Sequence, residues 1–228
     1  MTSIRRSGTA ALAAAVCLAV PGAASATGGD HDTTPTDKPH GHHVQRDGAR
    51  HAVPPRIAAK LRAAERAAQR AKRQAAAGHR VAAIQALAAV RRHLKAATKP
   101  VGARRGDGAA TAAAYAGTYG RIGDICIALF AGVPDDVVAA NAVTLKAVLD
   151  ARDVLVAGIA TLPDRASYGA ALARIAEDAK SEATAIGALL GSGALSDAAK
   201  AALTAAQAQV TATAAAAAQV AGGATAAA

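Results

Sequence analysis

Apolar residues recur every three or four positions along most of the chain, the spacing that places them on one side of an α-helix. Between residues 54 and 77 this seam consists of Ile57, Leu61, Ala64, Ala68, Ala71 and Ala75. Two prolines precede it and Gly78 follows it, as is typical of helix starts and ends. A second helix is predicted from His79 to about Lys99, before Pro100. Residues 54–100 are therefore expected to form an antiparallel helical hairpin.

Turn residues divide the remaining chain into four further predicted helices. They run from about 109 to 131, from the turn at 132–136 to the turn at 162–164, from there to about Leu190, and onward from the cap Ser196-Asp197. No stretch shows the two-residue alternation of a strand. We therefore predict an all-α protein, with an up-and-down bundle of about four helices over residues 109–221 and a frayed end at 222–228.

Glycines mark two features of this arrangement. Residues 101–108, which contain three glycines and two arginines, predict a flexible linker between the hairpin and the bundle. The third helix carries Gly117, Gly120 and Gly123 at a spacing of three. Such glycines either let another helix approach closely or interrupt the helix that contains them. The sequence alone leaves these alternatives open.

The composition favours helices with a thin core. Hydrophobic residues make up 52% of the chain, yet aromatic residues make up only 2%. The apolar content is therefore mostly Ala, which forms helices readily but removes little surface from water when buried. A GC-rich, actinobacterial type of genome would produce the same bias.

Positive charge is concentrated in one part of the chain. The net charge is +10, and residues 46–105 hold 16 Lys and Arg against 2 acidic residues, whereas residues 106–228 hold 7 against 11. On the first predicted helix the basic side chains lie opposite the apolar seam, and the candidate polyanion-binding residues are Arg56, Lys60, Arg62, Arg66, Arg70 and Arg73. This asymmetry predicts an anionic partner, such as a cell-wall polymer or a membrane surface. The alternative is a solvated charged face that only maintains solubility.

The first 26 residues have the order of a cleavable export signal. Arg5 and Arg6 precede an apolar run of about 12 residues, and a small-residue motif predicts cleavage after Ala26. The run is shorter than the roughly 20 residues that span a membrane, so a retained anchor is the weaker alternative. A twin-arginine signal and lipidation at Cys17 are further alternatives. The mature protein is expected to be secreted, without a transmembrane segment.

Residues 27–53 predict a disordered tail, because they contain almost no large apolar side chain. Within it, His40, His42 and His43 are candidate ligands for Zn, Cu or Ni, since neutral imidazole binds these metals. The alternative is a soluble spacer. No cofactor is predicted otherwise.

Catalytic signatures are missing from the mature sequence. It contains no His-Glu-x-x-His, no Gly-x-Ser-x-Gly and no phosphate-binding loop after a strand. Acidic pairs such as Asp178 with Glu182 and Asp150 with Asp153 are interpreted as solvated faces. Cys126, the one cysteine left after signal cleavage, is expected to be a buried structural residue, with an intermolecular disulfide as the alternative.

These features favour a secreted, non-enzymatic helical protein that associates with anionic cell-envelope polymers through its basic hairpin. The runner-up is an extracellular protein that binds a metal or a small ligand, through the His-rich tail or a cavity in the bundle. An enzyme built from scattered carboxylates ranks third. Specific nucleic-acid binding is not predicted, because no aromatic residues interleave with the basic ones. The sequence does not determine an oligomeric state.

Overall fold

The computed structural model describes residues 53–97 and 108–225. These residues form six α-helices and one short 3₁₀ helix, so the all-α prediction is confirmed. The elements are α1 Pro55–Ala76, α2 Arg80–Ala97, α3 Gly108–Ala128, α4 Asp135–Ala160, the 3₁₀ helix Arg165–Tyr168, α5 Gly169–Gly191 and α6 Asp197–Thr225. The predicted export signal, nearly all of the tail, most of the predicted linker and residues 226–228 lie outside the described residues.

The helices form three antiparallel hairpins, each made of two consecutive helices: α1 with α2, α3 with α4, and α5 with α6. Neighbouring hairpins pack side by side, because α3 lies between α1 and α5 while α4 lies between α2 and α6. Helices within one layer run parallel to each other. The up-and-down arrangement predicted for the bundle is confirmed, and the fold has two layers of three helices.

The basic hairpin α1–α2 packs on the rest of the fold rather than standing apart from it. Arg121 of α3 binds Glu65 of α1, with Nε to Oε1 at 2.8 Å. On the other layer, Arg80 of α2 pairs with Asp136 of α4 at 2.9 Å. The Tyr115 hydroxyl also donates a hydrogen bond to the Ala97 carbonyl. One hydrophobic cluster extends through all three hairpins, so the hairpin shares its core with α3 to α6.

Alanine allows the helices of the basic hairpin to pack closely. Ala64, Ala68 and Ala71 of α1 are completely buried, and Leu61 is the one larger buried residue of that helix. Each of these side chains removes little apolar surface from water, so the contact depends on close backbone approach. Larger residues from α3 to α5 fill the centre of the fold, including Ile122, Leu149 and Ile175.

Helix boundaries follow most of the predicted signals, although α3 ends at Ala128 rather than near 131. Gly78 and Gly132 adopt positive φ angles of 75° and 70° after α1 and α3, a conformation that favours glycine at a helix end. The three glycines of α3 do not break that helix. At the other end of the chain, α6 continues to Thr225 through Gly222 and Gly223, beyond the predicted end at 221. The Ala-rich sequence around these two glycines favours helix strongly enough to continue it.

In the described part of the chain, none of the helices is both long enough and apolar enough to span a bilayer.

Candidate functional site

Four arginines form a single row on α1, and we call Arg62, Arg66, Arg70 and Arg73 the arginine face. At 100° per residue these positions fall within an arc of about 80°, directly opposite the buried seam of the helix. All four side chains are exposed. A rise of 1.5 Å per residue spreads them over about 16 Å along the helix axis. The row therefore presents four positive charges along a line.

The other two predicted anion-binding residues lie apart from this row. Arg56 is exposed in the first turn of α1. Lys60 is turned toward α2, where its Nζ donates a hydrogen bond to the Ala96 carbonyl at 2.8 Å. That carbonyl belongs to the last turn of α2, where a cation is favourable because the helix leaves such groups unpaired. Lys60 thus helps to close the hairpin.

Within the described part of the chain, no acidic residue neutralises the arginine face. Glu65, the one acidic residue between Pro55 and Ala97, already binds Arg121 through both carboxylate oxygens, at 2.8 and 3.1 Å. Among the ion pairs formed by the described residues, none includes a member of the arginine face. Basic residues outside the arginine face attach the hairpin to the neighbouring helices. The described residues therefore leave the four arginines exposed and without an acidic partner.

Arg91 is one of these attachment residues. Its guanidinium donates to the Thr144 hydroxyl at 2.7 Å and to the Ala140 carbonyl at 3.1 Å, both on α4. It is half-buried, in contrast to Arg92 beside it, which is exposed. Lys72 is also exposed, on the flank of α1 next to the arginine face. Sequence reasoning did not single out Arg92 or Lys72, although both add positive potential to the same hairpin.

A buried ion pair lies at the centre of the fold, where the sequence offered no direct signal. Arg152 of α4 binds Glu182 of α5 through two contacts of 2.6 and 2.7 Å, and both side chains are 0% exposed. The Nε of Arg152 has no hydrogen-bond acceptor among the described residues. Burial raises the pKa of Glu182, the neighbouring Asp124 and Asp178 raise it further, and the Arg152 guanidinium opposes them.

The interpretation of Asp178 and Glu182 as a solvated pair is wrong for Glu182. The two glycines Gly120 and Gly123 of α3 create the space that these carboxylates occupy, because a methyl group on either α-carbon would lie 2.1 Å from a carboxylate oxygen. Asp178 lies closer to the surface and accepts a hydrogen bond from Arg174 at 2.9 Å. Of the two alternatives for these glycines, close helix approach is therefore correct.

Asp150 and Asp153 lie at the surface of α4 and bind α6. Gln209 donates to Asp150 at 3.0 Å and to Asp153 at 2.7 Å, and the Thr213 hydroxyl donates to Asp153 at 2.5 Å. Both carboxylates are half-buried. Their contacts stabilise the packing of α4 against α6 rather than forming a pair with each other.

A shallow depression of about 520 Å³ lies along α5 and is open to solvent. Its lining is polar and carries both signs of charge: Arg174, Glu177, Asp178, Lys180, Ser181 and Thr184. It differs from the apolar cavity between helices that a small-ligand carrier would need. The depression therefore adds no argument for the small-ligand alternative.

The candidate metal ligands His40, His42 and His43 lie outside the described residues. Within residues 53–97 and 108–225, no three His, Cys, Asp or Glu side chains are grouped as metal ligands would be. His79 contacts the side-chain oxygen of Gln74 at 2.9 Å beside the turn of the hairpin.

Cys126 is completely buried, as the sequence predicted, and it forms no disulfide within the described residues. It lies on α3, and the side chain of Asn141 on α4 donates a hydrogen bond to its carbonyl at 2.7 Å. Burial raises the pKa of the Cys126 thiol to about 12, and Glu182 adds to this effect. Such a thiol behaves as a small apolar side chain.

No family model, curated protein or solved structure matches this chain.

Proposed function

We propose that this chain is a secreted, non-enzymatic helical protein that attaches to anionic polymers of the cell envelope through the arginine face. The observation that carries the proposal is the row of four exposed arginines on α1, none of which is paired with an acidic side chain of the described residues. The export signal predicted from the sequence supports the location. The proposal assigns no reaction to the chain.

Electrostatics supports an external anion as the partner. Residues 55–97 contain 11 Lys and Arg and one acidic residue, and that acidic residue is bound by Arg121. Like charges held along one helix repel each other, so the isolated fold gains no stability from the row. A polyanion reverses this repulsion and releases its own counterions when it binds. Attachment of this kind weakens steeply as salt concentration rises.

The experiment measures retention of the protein lacking residues 1–26 on isolated Gram-positive cell wall, at low and at high salt. The test variant changes Arg62, Arg66, Arg70 and Arg73 to Gln. The matched control changes Lys146, Arg165, Lys180 and Lys200 to Gln, which removes the same charge from α4, the 3₁₀ helix, α5 and α6. We expect salt-sensitive retention that the test variant loses and the control retains.

Two outcomes would contradict the proposal. Absence of retention at low salt would exclude envelope attachment and direct attention to the His-rich tail, whose metal binding a chelator would reveal. Equal losses in the test and control variants would show that net charge alone, and not the arginine face, accounts for retention.

A further inference from the structure

The shape and side chains of the arginine face restrict the kind of anion it fits, and this inference rests on the function proposed above. We infer that the ligand is a linear phosphodiester polymer, which lies along the axis of α1 and is bound through its backbone phosphates.

The position of α1 suits an extended chain. Among the described helices, α1 packs mainly on α2 and α3, so its remaining side forms an outer edge of the described part of the fold. Successive members of the row are four, four and three residues apart, which separates them by about 6, 6 and 4.5 Å along the axis. A polymer lying parallel to the helix meets one guanidinium group after another. A compact anion would contact one or two of them.

The row consists entirely of arginine, while the two lysines of α1 lie on its flanks. A guanidinium group presents a planar fork of donors that binds two oxygens of one phosphate, and it is less strongly hydrated than an ammonium group. In a phosphodiester polymer the charge belongs to the backbone itself. A straight row of guanidinium groups can therefore bind such a chain without a pocket for its side groups.

A lipid bilayer fits this surface less well. The helix buries its apolar side against α2 and α3, with Leu61, Ala64 and Ala68 all buried. The large apolar side chains that are exposed in the described part of the fold are Val81, Val143 and Val154, and none belongs to α1. A helix that inserts into a membrane interface needs an apolar side that faces the lipid. The arginine face lacks one.

Base recognition is also unsupported. The chain has no Trp, and its one Phe and three Tyr are all buried: Phe130, Tyr115, Tyr119 and Tyr168. Stacking on aromatic side chains is the usual way in which single-stranded nucleic acids are held beyond their charge. The face is therefore expected to bind phosphodiester backbones regardless of what they carry. Polymers without bases should bind as well as polymers with them.

The test measures binding of poly(glycerol phosphate) to the protein lacking residues 1–26 by calorimetry, at several salt concentrations. Four phosphate contacts predict that affinity falls about 50-fold between 50 and 200 mM salt, from the slope for single-stranded polyanions. Changing the four arginines to Gln should abolish this dependence. Changing them to Lys should lower affinity several-fold but keep the dependence, because charge is retained while two-oxygen binding is lost.

A charge-relocating variant separates the row from net charge. Arg66→Gln combined with Gln85→Arg moves one charge from α1 to an exposed position of α2 and leaves the net charge unchanged. We expect it to bind as weakly as Arg66→Gln alone. Full affinity in the relocated variant would overturn the axial arrangement.

Three comparisons distinguish this inference from the broader proposal. Equal affinity for poly-glutamate would overturn the phosphate assignment while leaving attachment to polyanions intact. Stronger binding to vesicles with 30% anionic phospholipid than to the polymer, lost in the Gln variant, would identify a membrane surface instead. If none of these ligands and no cell wall is bound at low salt, the proposed function itself fails.

Discussion

Gly123 of α3 lies directly against Glu182 of α5, so that a methyl group on the α-carbon of Gly123 would be 2.1 Å from Oε1 of the carboxylate. The same methyl group would be 3.4 Å from the Arg152 guanidinium of α4. One residue without a side chain thus allows three helices to meet around a buried ion pair. The pair joins the two layers of the fold at its centre.

Gly123→Ala is expected to destabilise the protein by about 2–3 kcal/mol, because the added methyl group must displace a buried carboxylate from its partner. The matched control is Gly158→Ala in α4, where no heavy atom lies within 4 Å of the added group. That substitution should stabilise by about 0.5–1 kcal/mol, through helix propensity. Urea unfolding followed by circular dichroism measures both changes. Similar changes of the same sign in both variants would show that Gly123 is not sterically required.

Removing one member of the buried pair should destabilise the fold more than replacing both members with apolar residues. Glu182→Leu or Arg152→Met alone leaves its partner buried without a counter-charge, which predicts a loss of about 3–5 kcal/mol. The double substitution Arg152→Met with Glu182→Leu removes both charges and should lose less than either single change. Lys146→Gln, which breaks the exposed pair with Asp150, should change stability by less than about 0.5 kcal/mol.

Denaturant titration of the four variants provides the free energies for this comparison. A double variant that loses as much as the two single changes combined would mean that the two charges do not depend on each other. It would then be the packing volume of these side chains, and not their pairing, that stabilises the centre of the fold.

Helices and the arginine face could be predicted from the sequence because both depend on local periodicity. The residues of the row are neighbours on one helix, so their shared orientation follows from spacing alone. The ion pair depends on residues 30 positions apart, and nothing near Arg152 or Glu182 indicates that either is buried. The glycine spacing in α3 was the available signal. This signal could not distinguish close helix approach from a break in α3, since the helix that approaches those glycines is not identifiable from α3 itself.

Asp124 should make stability depend on pH. Asp124 is exposed by surface area, but its carboxyl group is partly enclosed by the neighbouring helices. This partial burial raises its pKa, and the nearby Asp178 carboxylate raises it further, while Arg152 and Arg174 oppose this. The pKa of Asp124 in the folded chain lies above the unfolded value of about 3.9. The protonated carboxyl group therefore stabilises the fold fully below about pH 4, and this stabilisation is lost as pH rises through the folded pKa. Relative to Asp124→Asn, the wild-type chain should therefore lose stability as pH rises from 4 to neutrality.

Asp136 serves as the control, because its contribution to stability should change with pH in the opposite direction. The hydrogen bond from Arg80 lowers its pKa, so its contribution is present above about pH 4 and is lost as pH falls through the folded pKa. Thermal unfolding of the wild type, Asp124→Asn and Asp136→Asn between pH 3 and 7 measures both trends. If stability changed with pH in the same way in the wild type and in Asp124→Asn, Asp124 would not be the source of the pH dependence.

Cys126 should be unreactive in the folded protein. It is completely buried, and its pKa of about 12 leaves on the order of one thiol in ten thousand ionised at pH 8. In the chain lacking residues 1–26, where Cys126 is the only cysteine, labelling by a thiol reagent should be slow in buffer and rapid in denaturant. The rate in buffer then measures how often the core around α3 opens.

A second thiol two positions along the same helix completes this experiment. Ala128 is exposed, so Ala128→Cys should add one thiol that reacts at once while Cys126 stays protected. Rapid labelling of both in buffer would contradict the buried position of Cys126. It would also favour the alternative that this residue forms a disulfide with another chain, because such a bond requires the sulfur to reach the surface.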